Sequence, residues 1–428
     1  MRTLGIALSL LMPAFLCAQD KVIALKAARL FDGKADRLVS PGLVVVKGDR
    51  IVQVGGAAPA GAEVIDLGDA TLSPGFMDAH THITGEPSAD QRQDRLDRLA
   101  KPIPEQALDA TVYARRTLHA GFTTVRNLGA GDWVDIGLRN AVRRGIVEGP
   151  RMLVSAKSLG TTGGHCDFTN GYRPALFGAE PSWQQGIADS PEEFRGAVRY
   201  MIKYGADVIK VCATGGVLSA NDDVDSPQLT QEELNALVDE AHARRKKAAA
   251  HAHGNEGARR AVLAGIDSIE HGSFLEDDTL DLMRQRGTVY VPTLLAGDSI
   301  IEALDKGRVM DPRNVAKARA AHARVGETFR RAVQKGVRIG FGTDAGVFSH
   351  GRNAQEFALL VRGGMTPVQA LKSATSIDAE LFGVSDRLGT LEAGKIADIV
   401  AMPGDPASDI RVTERVSFVM KEGRVVKR

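Results

Sequence analysis

LSPGFMDAHTHI, residues 72–83, reads as an apolar strand that ends with His80 and His82 separated by one residue. Strand side chains alternate between faces, so the two imidazoles leave the strand on one side and aim at one point. Neutral imidazole is the commonest protein metal ligand, and two converging rings make half a metal site. An isolated H-x-H is as readily two polar residues leaving a strand. The remainder of the chain decides between these readings.

Working outward, strand-like segments recur at 75–82, 122–129, 151–160, 207–216, 247–254, 268–274, 289–296 and 338–346, with helical patterns between them. Thr230-Gln-Glu-Glu233 is a capping box that opens one helix, and Ser190-Pro191-Glu192-Glu193 starts another with proline at its first position. This alternation predicts an α/β chain folded as a (β/α)8 TIM-like barrel. A doubly wound open sheet is the rival, but no glycine-rich phosphate fingerprint follows the first strand. Short strands and glycine turns fill the region before 73 (VIALKAARLFDG, LVVVKGDRIVQVGG, AEVIDLG) and the far end (KIADIVAMPG, VSFVMKEGRVVKR). They predict a small β-sandwich domain built from both chain ends, 19–73 and 388–428, flanking a 74–387 barrel.

Composition sets the class. Hydrophobic content of 43% and charged content of 25% suit a soluble globular enzyme. A formal net charge of +1, with no long basic run, gives no reason to expect nucleic acid as a partner. Arg2, the apolar Leu4–Leu16 and the Leu16-Cys17-Ala18 site read as a signal peptide over 1–18. Its apolar run is short for a bilayer, so no stable membrane anchor is expected, and the protein is expected to be exported, periplasmic or secreted. Phe15 and Leu16 are bulky where a lipoprotein signal wants small residues. Cys166 and Cys212 remain, two cysteines that do not amount to a disulfide framework, and stability is assigned to the core.

In such barrels the reacting groups lie at the C-terminal strand ends. Polar residues fall there repeatedly: His80, His82, Arg126, Lys210, His251, His253, His271 and Asp344. Lys210 shares a strand face with Val208 and Cys212 in VIKVC; burial there favours the neutral, nucleophilic amine. Such an amine can take up carbon dioxide, giving a carbamate able to bridge two metals. Of the second H-x-H, His251 lies deeper in its strand and is assigned to metal, with His253 left for substrate, although the swap stays open. His271 ends the next strand as a ligand. Asp344, in FGTDAG, can hold metal and water and move the water's proton to a leaving nitrogen. His165, in TGGHCDF, is placed to polarise a carbonyl or hold a carboxylate. The loop GGVLSANDDVDSPQ is long enough for a lid, with Val217 and Leu218 lining an apolar pocket, and Ser88 sits on the loop after the first pair.

PGFMDAHTH, the Lys210 strand, AHAHG, DSIEHG, GTDAG and LEAGKIADIV together resemble the amidohydrolase superfamily, binuclear subtype. The resemblance implies one metal held by His80, His82, Asp344 and carboxylated Lys210, and a second by Lys210, His251 and His271. Two divalent ions are implied, zinc being usual, with a bridging hydroxide as nucleophile. TTGGH, GGV and AHAHG resemble the metal-dependent carboxypeptidase and prolidase branch, close to the amidohydrolases that hydrolyse ochratoxin A, an aryl acid amide-linked to phenylalanine. That implies small-molecule amide or dipeptide substrates, N-acyl-phenylalanine or Xaa-Pro among them, and a homo-oligomer. Rival chemistries on this fold are a mononuclear deaminase and a cyclic-amide hydrolase of the imidazolonepropionase kind. A non-catalytic relative would have lost ligands, and none is missing here.

Overall fold

The computed structural model describes residues 21–428, and the expected signal peptide lies outside the described residues. The chain opens with strands β1 (Val22–Ala27), β2 (Arg29–Leu30), β3 (Gly42–Lys47), β4 (Arg50–Val54), β5 (Glu63–Asp66) and β6 (Ala70–Pro74). Four of them form a sheet in the order β4-β3-β1-β5. Alternation is visible in β3, where Val44 and Val46 enter one apolar cluster and Leu43 and Val45 another.

The middle of the chain carries the site. Strands β7 (Phe76–Thr81), β8 (Phe122–Asn127) and β9 (Arg151–Val154) run parallel in one sheet. Strands β10 (Val208–Cys212), β11 (Lys247–Ala252), β12 (Ser268–His271) and β13 (Val289–Val291) run parallel in another. Helices separate them, opened where the sequence indicates: Ser190 caps Pro191–Lys203, and the Thr230–Glu233 capping box closes on Gln231–Ala243. The result is a mixed α/β fold.

The stretch 338–346, expected as a strand, makes no ladder of its own. It threads between β13 and β7 through isolated parallel bridges, Tyr290 with Ile339 and Thr81 with Ala345. A third such bridge, Leu159 with Val211, joins the segment that follows β9 to β10. The thread is irregular because it passes close to its neighbours: a Cβ on Gly342 would overlap Val291 and His80. Asp344 then turns with φ of 60°, leaving extended geometry altogether. Beneath the site, Phe76, Phe122, Phe341 and Phe357 pack with centroids 4.4–5.7 Å apart and tie β7, β8 and this thread to the helix Gln355–Arg362. Each ring, fully buried, contributes roughly 1.5–3 kcal/mol relative to exposure.

Strands β14 (Ile399–Pro403), β15 (Phe418–Lys421) and β16 (Arg424–Lys427) close the chain. β14 pairs antiparallel with β6, so both chain ends share one sheet, β16-β15-β14-β6-β2. Leu25, Val44, Leu72, Ile399 and Phe418, drawn from both terminal sheets, belong to one apolar cluster. Among the described residues, no helix is long and apolar enough to cross a membrane.

Candidate active site

At the end of β7, His80 is buried and its Nδ1 donates to Glu270 Oε2 at 2.9 Å. Glu270, on β12, also accepts from Arg126 Nη2 (2.8 Å) and Ser268 Oγ (2.6 Å), and Arg126 Nε in turn donates to the Ala79 carbonyl at 2.6 Å. Burial opposes the charge on Glu270, but Arg126 and His80 outweigh it and hold the carboxyl down at about 2. An ionised carboxylate only accepts, so the neutral His80 ring carries its proton on Nδ1. Its Nε2 lone pair faces Lys210 Nζ and Asp344 Oδ1, each 3.5 Å away. His82 follows the same rule: Nδ1 donates to the Gly129 carbonyl at 3.2 Å, leaving Nε2 3.3 Å from Asp344 Oδ1.

On β11 the polarity reverses. His251 donates from Nε2 to the Gly215 carbonyl at 3.0 Å, so its free lone pair is on Nδ1. His253, one residue beyond the strand, has Nδ1 2.8 Å from Ser273 Oγ, and His271 has Nδ1 2.7 Å from Thr293 Oγ1. The His271 ring lies 4.6 Å from His251, 4.9 Å from His253 and 5.0 Å from His80, centroid to centroid. Possible ligand atoms within 4.8 Å of one another define two clusters, His80–His271–Asp344 and His251–His253–His271. His271 and Asp344 both hold left-handed backbones, φ 72° and 60°, a conformation that costs a non-glycine residue about 1–3 kcal/mol.

Lys210 rises from β10 between the clusters, buried to 3% exposure. Burial, helped by Arg126, brings its amine down to about 8, against the opposing pull of Glu270 and Asp344. Burial likewise lowers His80 to about 4 and His253 to about 3, and takes His251 and His271 well below the usual range. For Asp344 burial works upward, but His80, His82 and Lys210 prevail and its pKa stays low. Neutral His80, His251, His253 and His271 beside the ionised Asp344 carboxylate are a donor set that fits divalent metal.

The substrate-side candidates divide. His165 stacks on His251 at 4.2 Å and is half-buried, and desolvation lowers its pKa to about 4. A Cβ on Gly216 would overlap the His165 ring, which explains one glycine of the GGV motif. Val217 and Leu218 are half-buried on the same loop, and the Leu218 carbonyl is taken by Asn314 Nδ2 at 3.2 Å. That loop, expected as a lid, is pinned from the helix Pro312–Gln334 by Lys317, whose Nζ reaches the Ser219 carbonyl (2.8 Å) and Asp222 Oδ1 (3.1 Å). The Ser88 hydroxyl is used locally, donating to the Asp90 carbonyl at 2.9 Å at the start of the helix Gln91–Ala100. Cys166 and Cys212, left unpaired in the sequence reading, form a disulfide with Cα atoms 5.8 Å apart. They meet because the loop carrying His165 folds back over the end of β10, across a separation of 46 residues. Glu270, Ser219 and Asp222 were not picked out from sequence. Glu270 sits beside His271 in the quoted DSIEHG, and Ser219 and Asp222 lie in the quoted loop GGVLSANDDVDSPQ, where no spacing singles them out.

The profile of the Amidohydrolase family matches residues 71–426. The ochratoxinase of Aspergillus niger is 33% identical over 374 residues, covering 83% of this chain and 75% of that protein. Its crystal structure superposes with a TM-score of 0.84 at 29% identity, over 96% of each chain. A Xaa-Pro dipeptidase crystallised with methionine in its active site is 40% identical, with a TM-score of 0.89 over 95% of this chain and 100% of that one. The chain thus belongs to the amidohydrolase family, in the branch that holds the ochratoxinase and the prolidases, and is a hydrolase acting on amides.

Proposed function

We propose that the chain is a binuclear metal-dependent amidohydrolase that cleaves the amide bond to a C-terminal amino acid. The substrates would be N-acyl-phenylalanines such as ochratoxin A, or Xaa-Pro and Xaa-aromatic dipeptides. The observation that carries this reading is the pair of clusters His80–His271–Asp344 and His251–His253–His271, joined by His271, with His82 Nε2 3.3 Å from Asp344 and the amine of buried Lys210 3.5 Å from His80 Nε2. Residues His80, His82 and Asp344 would hold one ion, His251 and His271 the other, and carboxylated Lys210 both. When bound, two divalent ions, zinc in this reading, supply Lewis acidity for the carbonyl and an acidified water.

The remaining work falls to side chains. Asp344, ionised and beside His80 and His82, accepts the attacking water's proton and returns it to the departing nitrogen. His165 and His253 contact the substrate, with Val217 and Leu218 on the apolar side. The low pKa of Lys210 keeps a usable fraction of its amine neutral for reaction with carbon dioxide. The parallel strands would close with 338–346 as the eighth member of a (β/α)8 barrel, a closure supported by the three isolated bridges. The ends, 19–73 and 388–428, would form a β-sandwich beside a 74–387 catalytic unit, supported by the β6–β14 pairing and the shared apolar cluster. Export to the periplasm or the medium completes the reading.

The test is chromatography of products from the zinc-loaded protein with ochratoxin A, N-acyl-phenylalanines and Xaa-Pro dipeptides, alongside Lys210→Ala. Released amino acid that disappears in the variant is the expected result. No cleavage by protein that holds about two metals overturns the C-terminal amino acid reading and points to cyclic amides instead.

A further inference from the structure

The stretch that carries the first histidine pair holds a third polar residue that the chemistry above leaves unused. Asp78 lies two positions before His80 on β7, on the same face, and is completely buried. A carboxyl taken out of water is costly unless hydrogen bonds replace the water. Asp78 Oδ1 receives the His80 N–H at 3.0 Å and the Thr343 N–H at 3.1 Å. Its Oδ2 receives the Thr343 hydroxyl at 2.6 Å and Asn353 Nδ2 at 2.8 Å. Asn353 is buried in turn, its Oδ1 taken by the Gly351 N–H at 3.1 Å. Thr343 immediately precedes Asp344, in the thread that has no ladder to fix it. After the turn, the Ala345 N–H reaches back to Thr343 Oγ1 at 3.2 Å, and the Asp344 N–H itself meets the His80 carbonyl at 2.7 Å. The left-handed turn at Asp344 is thus gripped on both sides through Thr343, and Thr343 is gripped by Asp78. Such a backbone persists only where its surroundings hold it. There the Asp344 carboxylate stands 3.5 Å from His80 Nε2 and 3.3 Å from His82 Nε2.

We propose that Asp78 and Thr343 are positioning residues for Asp344: the buried Asp78 side chain, braced by Asn353, locks the thread to β7 and so sets where the Asp344 carboxylate meets His80 and His82. The inference rests on the reading of Asp344 as a metal ligand and extends it to two residues outside the donor set.

The experiment measures zinc affinity by competition with graded chelators in wild type, Thr343→Val and Thr343→Ser, each also in an Asp344→Ala background. Thr343→Val keeps the shape of the side chain, removes the hydroxyl and leaves Asp78 its N–H donors, so it is milder than loss of Asp78 itself. It is expected to weaken a bound ion about 10–100-fold, and Thr343→Ser, which restores the hydroxyl, to recover most of that loss. With Asp344 gone the same change has nothing left to position, and its effect is expected to shrink to less than about twofold. Unchanged affinity in Thr343→Val overturns the inference. So does a loss as large in the Asp344→Ala background as in wild type, because a purely structural role does not depend on Asp344. Should wild type bind no zinc, the metal reading fails separately. The turn itself is then decided by crystal structures of metal-free wild type, Thr343→Val and Asp78→Asn, whose amide offers one oxygen where the carboxyl offers two. An Asp344 carboxylate displaced from His80 and His82 in the variants supports the inference, and one that stays in place overturns it.

Discussion

In the first H-x-H pair both rings turn Nδ1 outward, His80 to Glu270 and His82 to the Gly129 carbonyl. In the second, His251 turns Nε2 outward to the Gly215 carbonyl, while His253 turns Nδ1 to Ser273. Both pairs end a parallel strand and both deliver two rings to one side of it. The strand decides only the side. Which nitrogen faces inward is decided by the acceptor behind the ring, and that acceptor comes from another segment: Glu270 is 190 residues from His80, and Gly215 is 36 from His251. A shared motif thus supplies two rings of one kind in the first pair and two different rings in the second.

The comparison can be broken most sharply at β11. His251→Ala is expected to keep about one metal of two and to lose hydrolysis, whereas His253→Ala keeps both and falls only in kcat/KM; metal analysis beside kinetics reads this. Equal metal loss in the two variants would erase the distinction and make His253 a ligand, as its place in the His251–His253–His271 cluster allows.

A smaller effect sharpens the first pair. Glu270→Gln removes the anionic acceptor behind His80 and is expected to weaken metal binding about 10–100-fold in chelator competition. It also leaves Arg126 buried without its carboxylate, so urea unfolding should show a loss of about 3–5 kcal/mol. Unchanged metal affinity would mean that packing alone orients His80.

A further effect is in pH. Burial depresses His80 and His165 from 6.5 to about 4 and His253 to about 3. Between those values the unfolded chain binds protons that the folded chain refuses, so stability is whole above about pH 6.5 and declines as pH falls toward 4. Each such histidine adds a slope of about 1.4 kcal/mol per pH unit. Urea unfolding of metal-free protein across this range should show the slope, reduced in His165→Asn. A flat profile would contradict neutral, buried rings.

Much of the site was legible as sequence. The positions of His80, His82, Lys210, His251 and His271 follow from strand alternation and strand ends, and Asp344 lies near His80 and His82 although its segment is an irregular thread and not a strand. His165 was legible from its glycine-rich loop. The local use of the Ser88 hydroxyl at the start of a helix was not legible, because a hydroxyl beside a strand end carries no sign of which carbonyl it will meet. The irregular thread at 338–346 was hidden because its apolar pattern is that of a strand, while the close approach of Gly342 to Val291 and His80 depends on neighbours remote in the chain.

What the sequence determined by itself is the order of chemistries and the side of each strand on which they emerge, because alternation is a property of local backbone dihedrals. What only the tertiary structure decided is the proton on each ring, the Cys166–Cys212 pairing and the Lys317–Asp222 anchor across 95 residues. Those depend on which distant segments meet once the core is packed, and no local pattern encodes the partner on the far side of a hydrogen bond.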